Sequence, residues 1–517
     1  MMRGLRWINY LSVFVSFSVK KALIEPKRFF LLVSQRFMGY QVIGTVKAWT
    51  EAVEGRNREE DTPSRRERLD FFLYVGDYDR ALAEFKKMPL IKRCINFPKK
   101  ILAKIKENQF YGAIYKGREA TGLGGSTNIL YYVNNSLPYT QSGYTIRTAA
   151  LTKTVREKVD SISTVTRLGY PLIIGKIPSP AKEPSGLNTL IPRVMPFRED
   201  RRYRLAKKLL MRVCAERGID LIQTTSDFKN ASLVSDVAHD LGIPWIYEIR
   251  GEPHNTWLSK FPVKIATEAE KSFHYRHSEQ KEIEAAVKAS AVIVLSELTK
   301  NKLVRAGISE DKIVTIPNAI DSGMQIDRKD ALNIRTQMGL RGKKVVGTVS
   351  SLVSYEGLDT LIRALPNLDE RIEVVFVGDG EDRGRLAALA ASLELENRVH
   401  FVGKQPSSEI QSWYSIFDVF VVPRIDSRVT RYVTPIKPLN ALAVGVPLVC
   451  SDLPALRAVT GGYAKFVPPQ SPTDLAEAIT EVIESPEKIL AEKEWLDSMT
   501  WEANGRKLAR LYRSLLN

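Results

Sequence analysis

Between Val421 and Ser451 the chain gathers residue types that hold a phosphate. Val421-Val422-Pro423-Arg424 reads as the end of a buried strand followed by a cation. Arg428 and Arg431 lie in the interval that follows, and Thr434-Pro435-Ile436-Lys437-Pro438-Leu439-Asn440 opens a helix. Gly445 to Ser451 is a second buried strand. A helix start presents unpaired N–H groups and a partial positive charge at the sheet edge. Pro435 and Pro438 have no N–H, so the donors come from the residues between and beside them. Four cations, Arg424, Arg428, Arg431 and Lys437, in about fourteen residues are more than a solvated face needs. The chemistry is anion capture, and a nucleotide diphosphate is the expected anion.

Two α/β units must position these groups. The first has strands at 129–133, 172–174, 221–223, 245–248, 291–295 and 313–316. The second, after Asp321, has strands at 345–349, 372–377, 399–401, 419–422 and 448–450. Helical stretches between strands of this length indicate parallel, doubly wound sheets, which bind ligands at the carboxyl ends of their strands. Gly143, after the polar loop from Asn134, lets a backbone approach a diphosphate or acceptor, or is an ordinary turn glycine. Gly378-Asp379-Gly380 follows a strand and reads either as a nucleotide-binding turn or as a plain strand-to-helix turn.

The chain has 517 residues, 44% apolar and 26% charged, ordinary for globular domains. Three cysteines, Cys94, Cys214 and Cys450, are too scattered for a disulfide framework or metal knuckle and point to a reducing compartment. The net charge of +17 concentrates in residues 1–120, with roughly 24 Lys and Arg against roughly 13 Asp and Glu. That surface suits anionic partners. No recognised motif or aromatic platform supports nucleic acid. No segment reaches the roughly 18–20 apolar residues that span a bilayer. Trp7 to Val19, flanked by Arg3, Arg6, Lys20 and Lys21, reads as an interfacial helix, so residues 1–40 are expected to meet an anionic membrane surface. The alternative is an ordinary buried helix. Asp70 to Pro89 has the spacing of one helical hairpin.

The ordered motifs Asn134-Asn135-Ser136-Leu137-Pro138 through Ser142-Gly143-Tyr144, Tyr247-Glu248-Ile249-Arg250-Gly251, Leu295-Ser296-Glu297, Ile316-Pro317-Asn318, Tyr355-Glu356-Gly357-Leu358, Val377-Gly378-Asp379-Gly380 and 434–443 resemble one family. It is the retaining nucleotide-sugar glycosyltransferases of the GT-B fold, family-four type, and the likeness covers about residues 127–517. Residues 1–125, without a clear strand run and with several basic clusters, read as a basic helical extension outside the likeness; the resemblance implies a Rossmann-like acceptor domain (126–325), a Rossmann-like donor domain (326–498) and a C-terminal helix crossing back (499–517). It implies sugar transfer from a nucleotide-diphosphate donor to a saccharide or lipid-linked acceptor in cell-surface polysaccharide or glycoconjugate synthesis. The place would be the cytoplasm or the inner membrane face. No cofactor or metal is expected; the nucleotide sugar is a co-substrate.

A departing diphosphate needs cations and fixed N–H donors, so Arg250, Lys437 and Arg424 are the candidate catalytic residues. Arg250 stands where many members carry a histidine or arginine; its other reading is an ion pair with Glu248 or Glu252. Gly143, Gly378, Gly380, Tyr355, Glu356, Thr434, Pro435, Ile436, Leu439 and Asn440 fall on the donor side. Asn135, Ser142, Ser226 and Asp227 fall on the acceptor side. Two departures stand out. Tyr355 and Glu356 replace counterparts that are often cationic, and Tyr432 and Asn440 replace a glutamate pair whose later member holds the ribose. Asparagine still bonds hydroxyls but lacks the carboxylate's charge. A catalytically impaired member that binds nucleotide sugar or acts as a scaffold is therefore the second expectation.

Overall fold

The computed structural model describes residues 65–111, 126–179, 186–196, 198–324 and 328–517. The interfacial segment expected within residues 1–40 lies outside them.

Two parallel sheets organise the chain. The first has seven strands in the order β3-β2-β1-β4-β5-β6-β7: β1 Asn128–Val133, β2 Ser161–Thr166, β3 Leu187–Thr189, β4 Leu221–Thr225, β5 Trp245–Ile249, β6 Ala291–Val294 and β7 Ile313–Thr315. The second has six in the order β10-β9-β8-β11-β12-β13: β8 Lys344–Val349, β9 Ile372–Val377, β10 Val399–Gly403, β11 Val419–Val422, β12 Leu448–Ser451 and β13 Lys465–Val467. In both orders the winding reverses once, between β1 and β4 and between β8 and β11. Neighbouring strands whose crossovers run to opposite faces leave a crevice beyond their carboxyl ends.

Burial follows the pleat. Leu130, Ile222, Tyr247 and Val292 face one side of the first sheet with helices Glu199–Arg217 and Phe228–Leu241. Ile129, Leu221, Ile246 and Ile293 face the other with helix Gly143–Val155 and the C-terminal helix Trp501–Leu516. In the second sheet Val345, Val375, Phe420 and Leu448 take one face and Val346, Val374, Val421 and Val449 the other. Sheets covered on both faces explain strands that read as unbroken apolar runs.

The structure corrects several sequence readings. Leu172–Ile174 is a short 3-10 turn rather than a strand, with Pro171 before it and left-handed Gly175 ending it. The strand in that part of the chain is β2, whose SISTVT sequence hides behind hydroxyls although five of its six residues are buried. The three-residue strands β3 and β13 were also not expected. Helix Gly143–Val155 begins at Gly143 itself, with Ser142 as its cap.

Helix Trp501–Leu516, which follows the second sheet's last helices, packs against helix Gly143–Val155 of the first. Its Tyr512 hydroxyl donates to Gln223 Oε1 at 2.5 Å, and Asn504 Nδ2 donates to the Pro317 carbonyl at 2.8 Å. Upstream of β1, helices Arg65–Tyr74 and Tyr78–Lys87 form a hairpin, and Leu90–Tyr111 packs on the second of them. The hairpin turn docks on the first domain where His274 N donates to Gly76 O at 3.0 Å.

Candidate functional site

At the β8/β11 crossover the loop after β8, the loop after β11 and the start of helix Lys437–Ala443 bring three buried charges together. Arg424 makes a two-pronged bond to Glu356, Nε to Oε2 at 3.1 Å and Nη2 to Oε1 at 2.9 Å. Lys437 Nζ donates to the same Glu356 Oε2 and, at 2.8 Å, to Ser350 Oγ. Arg424 Nη1 also donates to the Val433 carbonyl at 2.9 Å. Arg424, Lys437 and Glu356 are all buried. Burial would raise the Glu356 carboxyl, but the Arg424 and Lys437 charges outweigh it and hold it at about 2. Burial lowers Lys437 to about 8 despite Glu356, with Arg424 pushing the same way. At neutral pH the group carries two positive charges against one negative.

Gly378 and Gly380 belong to the scaffold of this cluster. A Cβ on Gly378 would lie 1.9 Å from the Ser350 carbonyl oxygen, and one on Gly380 2.1 Å from that of Leu352. The loop after β9 thus presses directly on the loop that carries Ser350 and Glu356. Leu352 N to Asp379 O and Asp382 N to Leu352 O tie the two together. Close backbone approach explains both glycines.

The helix start differs from the one expected. The helix is Lys437–Ala443, seven residues long, with Pro438 near its beginning and Ile436 already helical as its cap. Asn440 N donates back to Ile436 O, so few N–H groups remain for an anion and side-chain cations dominate the site. Leu439 is fully buried in the core, and Pro435 is buried as well. Arg428 and Arg431 do not join the cluster: Arg431 forks onto Asp426 at 2.5 and 2.6 Å, and Arg428 pairs with Glu270. Of the four cations in this stretch, Arg424 and Lys437 converge. Asn440, half-buried, shares a hydrogen bond with the buried Tyr414 phenol. Tyr355 is half-buried beside Glu356, and its carbonyl accepts from Ile425 N at 3.3 Å.

The first domain presents a second buried network. Glu248, within β5, accepts from Arg147 Nε at 2.7 Å, Arg250 Nη2 at 3.0 Å, Gln223 Nε2 at 2.8 Å and the Tyr131 hydroxyl. Burial would raise its carboxyl; Arg250 and Arg147 instead hold it at about 2. Arg250 further donates to the Tyr144 carbonyl at 2.7 Å, to Thr148 Oγ1 at 2.8 Å and to the Tyr131 hydroxyl. Its guanidinium is therefore held inside the first domain, and Glu248 is its ion-pair partner. A carboxylate within an otherwise apolar strand was the available signal for this network; Arg147, one residue type among many on a helix, gave none.

The acceptor-side candidates serve local turns. Asn135 Oδ1 accepts from Arg167 at 3.2 Å, and Ser142 and Asp227 cap helices. Ser226 Oγ accepts from Arg250 N at 3.2 Å, so these two meet.

The domains touch along the cleft. Asn318 Nδ2 donates to the Thr434 carbonyl at 2.9 Å while its Oδ1 accepts from Arg147 at 3.4 Å, which links the Glu248 network to the loop before Lys437. A Cβ on Gly143 would meet Ile436 Cδ1 at 3.6 Å. Arg428 reaches Glu270 and the Tyr275 hydroxyl, and Lys302 stands 5.1 Å over the Tyr432 ring. Near this junction Arg250 Nε and Thr434 Oγ1 are buried without a hydrogen-bond partner. Such groups are uncommon in native interiors. Among the described residues no group of three or more His, Cys, Asp or Glu side chains is placed to hold a metal ion.

Comparison with known proteins follows the same division. A model of group 1 glycosyl transferases matches residues 331–494, and one of glycosyltransferase family 4 matches residues 172–323. A GDP-mannose-dependent alpha-(1-6)-phosphatidylinositol monomannoside mannosyltransferase of Mycolicibacterium smegmatis is 28% identical over 236 residues, 43% of this chain and 62% of the relative. The chain spans 54%, 62% and 60% of the lengths of the first three curated relatives it matches. Sucrose-phosphate synthase of Thermosynechococcus elongatus has a similar fold, with a TM-score of 0.61 at 19% identity, over 75% of this chain and 99% of that one. Anabaena HepE, solved with UDP and glucose, aligns with a TM-score of 0.52 at 18% identity over 75% and 97%. The two family matches together take in more than half of the chain, and the protein belongs to the family-four glycosyltransferases of GT-B fold.

Proposed function

We propose that this protein transfers a sugar, with retention of anomeric configuration, from a nucleotide-diphosphate sugar to a saccharide or lipid-linked acceptor. The observation that carries the reading is the buried Arg424–Glu356–Lys437 cluster at the β8/β11 crossover. A surplus positive charge held rigidly at the carboxyl edge of a parallel sheet stabilises negative charge developing on a leaving diphosphate more than it stabilises the intact donor. Glu356 fixes the positions of both cations before donor arrives, so little reorganisation is needed. The donor's bond from anomeric carbon to phosphate oxygen breaks, the acceptor oxygen bonds the same face of that carbon, and the diphosphate takes the acceptor's proton. GDP-mannose and phosphatidylinositol monomannoside, named for the mycobacterial relative, and UDP with HepE support this substrate class. Synthesis of cell-surface polysaccharide or glycoconjugate on an inner membrane face suits it.

A second reading, a nucleotide-sugar binding protein without transfer, is favoured by Asn440 at the expected ribose carboxylate and by the Glu356 charge already offsetting one cation. Mass-spectrometric screening of purified protein against a panel of nucleotide sugars and saccharide and lipid-linked acceptors separates the two. Transfer by the native chain supports the enzyme. Transfer appearing only in Asn440→Glu supports the impaired reading, and none in either sinks the proposal.

A further inference from the structure

Among the described side chains of helix Leu90–Tyr111, four large apolar ones face outward. Its inner face carries Asn96, Ala103 and Glu107, which are buried toward the neighbouring helices Tyr78–Lys87 and Phe273–Lys288. Opposite them Leu90 is 76% exposed, Ile91 78%, Phe97 52% and Ile101 45%. Leu90, Phe97 and Ile101 recur at seven- and four-residue steps, so they share one face. Contiguous outward apolar surface of this kind marks a place where something docks.

The charges identify the occupant. Lys92, Arg93, Lys99, Lys100, Lys104 and Lys106 stand on this helix against a single acid of its own, Glu107, which is buried and paired with Lys104 at 3.0 Å. Lys99 pairs with Asp70 and Arg93 donates to the Lys86 carbonyl, which leaves Lys92 and Lys100 without an ion pair among the described residues. A second copy would bring the same basic helix to its own image. The apolar upstream stretch, residues 1–50, holds eight Lys and Arg against one Asp or Glu. Both would meet like charge, and the acidic residues 51–64 (EAVEGRNREEDTPS) offer too few apolar side chains to cover the face. A surface that is apolar beneath and negative at its rim satisfies both features, with the side chains entering the headgroup boundary and the ammonium groups staying among the headgroups.

We propose that the outward face of helix Leu90–Tyr111 is a docking surface for an anionic lipid bilayer. Its position gives the docking a use. The helix rests on Phe273–Lys288, whose Tyr275 meets Arg428 of the second domain at the edge of the cleft. Docking would hold the first domain at the bilayer, the setting a lipid-linked acceptor requires. The surface itself does not depend on transfer chemistry, and its test does not measure transfer.

Full-length protein is floated with vesicles of equal parts phosphatidylglycerol and phosphatidylcholine, and with phosphatidylcholine alone, at low and high salt. Binding to the anionic vesicles, weakened by salt and absent on neutral ones, is expected. In a Leu90→Gln, Ile91→Gln, Phe97→Gln, Ile101→Gln variant the partition coefficient falls by at least about tenfold. Ile91→Glu, at an exposed site that folding does not need, gives the same direction should the fourfold variant be unstable. Unchanged flotation of either folded variant overturns the proposal, because the binding then belongs elsewhere. Loss of a concentration-dependent dimer in these variants, with flotation intact, overturns it in favour of a second copy.

Discussion

Replacing Glu356 with glutamine leaves the buried cations Arg424 and Lys437 facing each other without their shared counter-charge. Breaking one side of a buried ion pair costs about 3–5 kcal/mol. Glutamine keeps an acceptor oxygen, and Arg424 keeps its bond to the Val433 carbonyl, so the low end, about 3 kcal/mol, is expected. For a domain of this size each kcal/mol moves the melting temperature by about 2–4 °C, which gives a drop of about 6–12 °C. Without Glu356 the burial and the Arg424 charge that already lower Lys437 push it further down, so the variant's cluster gains no second charge until an anion arrives to recharge the lysine. Inorganic pyrophosphate, taking the place of the lost carboxylate and no longer repelled by it, should bind the variant more tightly than the native protein. At a hundredfold excess over its dissociation constant a ligand restores about 2.7 kcal/mol, nearly the whole loss. Differential scanning fluorimetry with and without pyrophosphate reads both effects. Melting within about 1 °C of the native protein, or equal pyrophosphate shifts in the two proteins, would refute a buried, anion-binding cluster.

Two further outcomes follow from the same geometry. Lys437 loses its proton near pH 8, so the cluster falls from one net positive charge to none above that pH, and the donor KM should climb between pH 7 and 9.5. Lys437→Arg, which stays charged, should flatten that climb; an identical pH profile in both proteins would exclude Lys437 from donor binding. Gly380→Ala forces a methyl against the Leu352 carbonyl, and the displaced loop carries Glu356, so stability should fall by about 1–3 kcal/mol with a raised donor KM. Unaltered melting and kinetics would show that the two loops are not interlocked.

The alternation of strands and helices was legible because strands buried on both sides read as apolar runs, as in β9 and β11. It failed where hydroxyl residues form a buried strand, as in β2, and where an apolar triplet is only a turn, as at Leu172–Ile174. Arg424 and Lys437 were visible as cations near a helix start. Their common partner was not, because Glu356 lies 68 residues before Arg424 and 81 before Lys437, and only the β8/β11 crossover makes them neighbours. Arg428 and Arg431 carry the same charge in the same stretch, yet nearby carboxylates claim them. Charge type can be read from a sequence, whereas pairing depends on which strand lies beside which.

The central claim is that Arg424 and Lys437, fixed by Glu356, receive the donor's diphosphate. Crystallography of the protein with a nucleoside diphosphate chosen from the donor screen tests it most directly. The account predicts phosphate oxygens within hydrogen-bond distance of Arg424 and Lys437, with the nucleoside side reaching toward Asn440. A diphosphate seated elsewhere, with both cations still turned to Glu356, would contradict it.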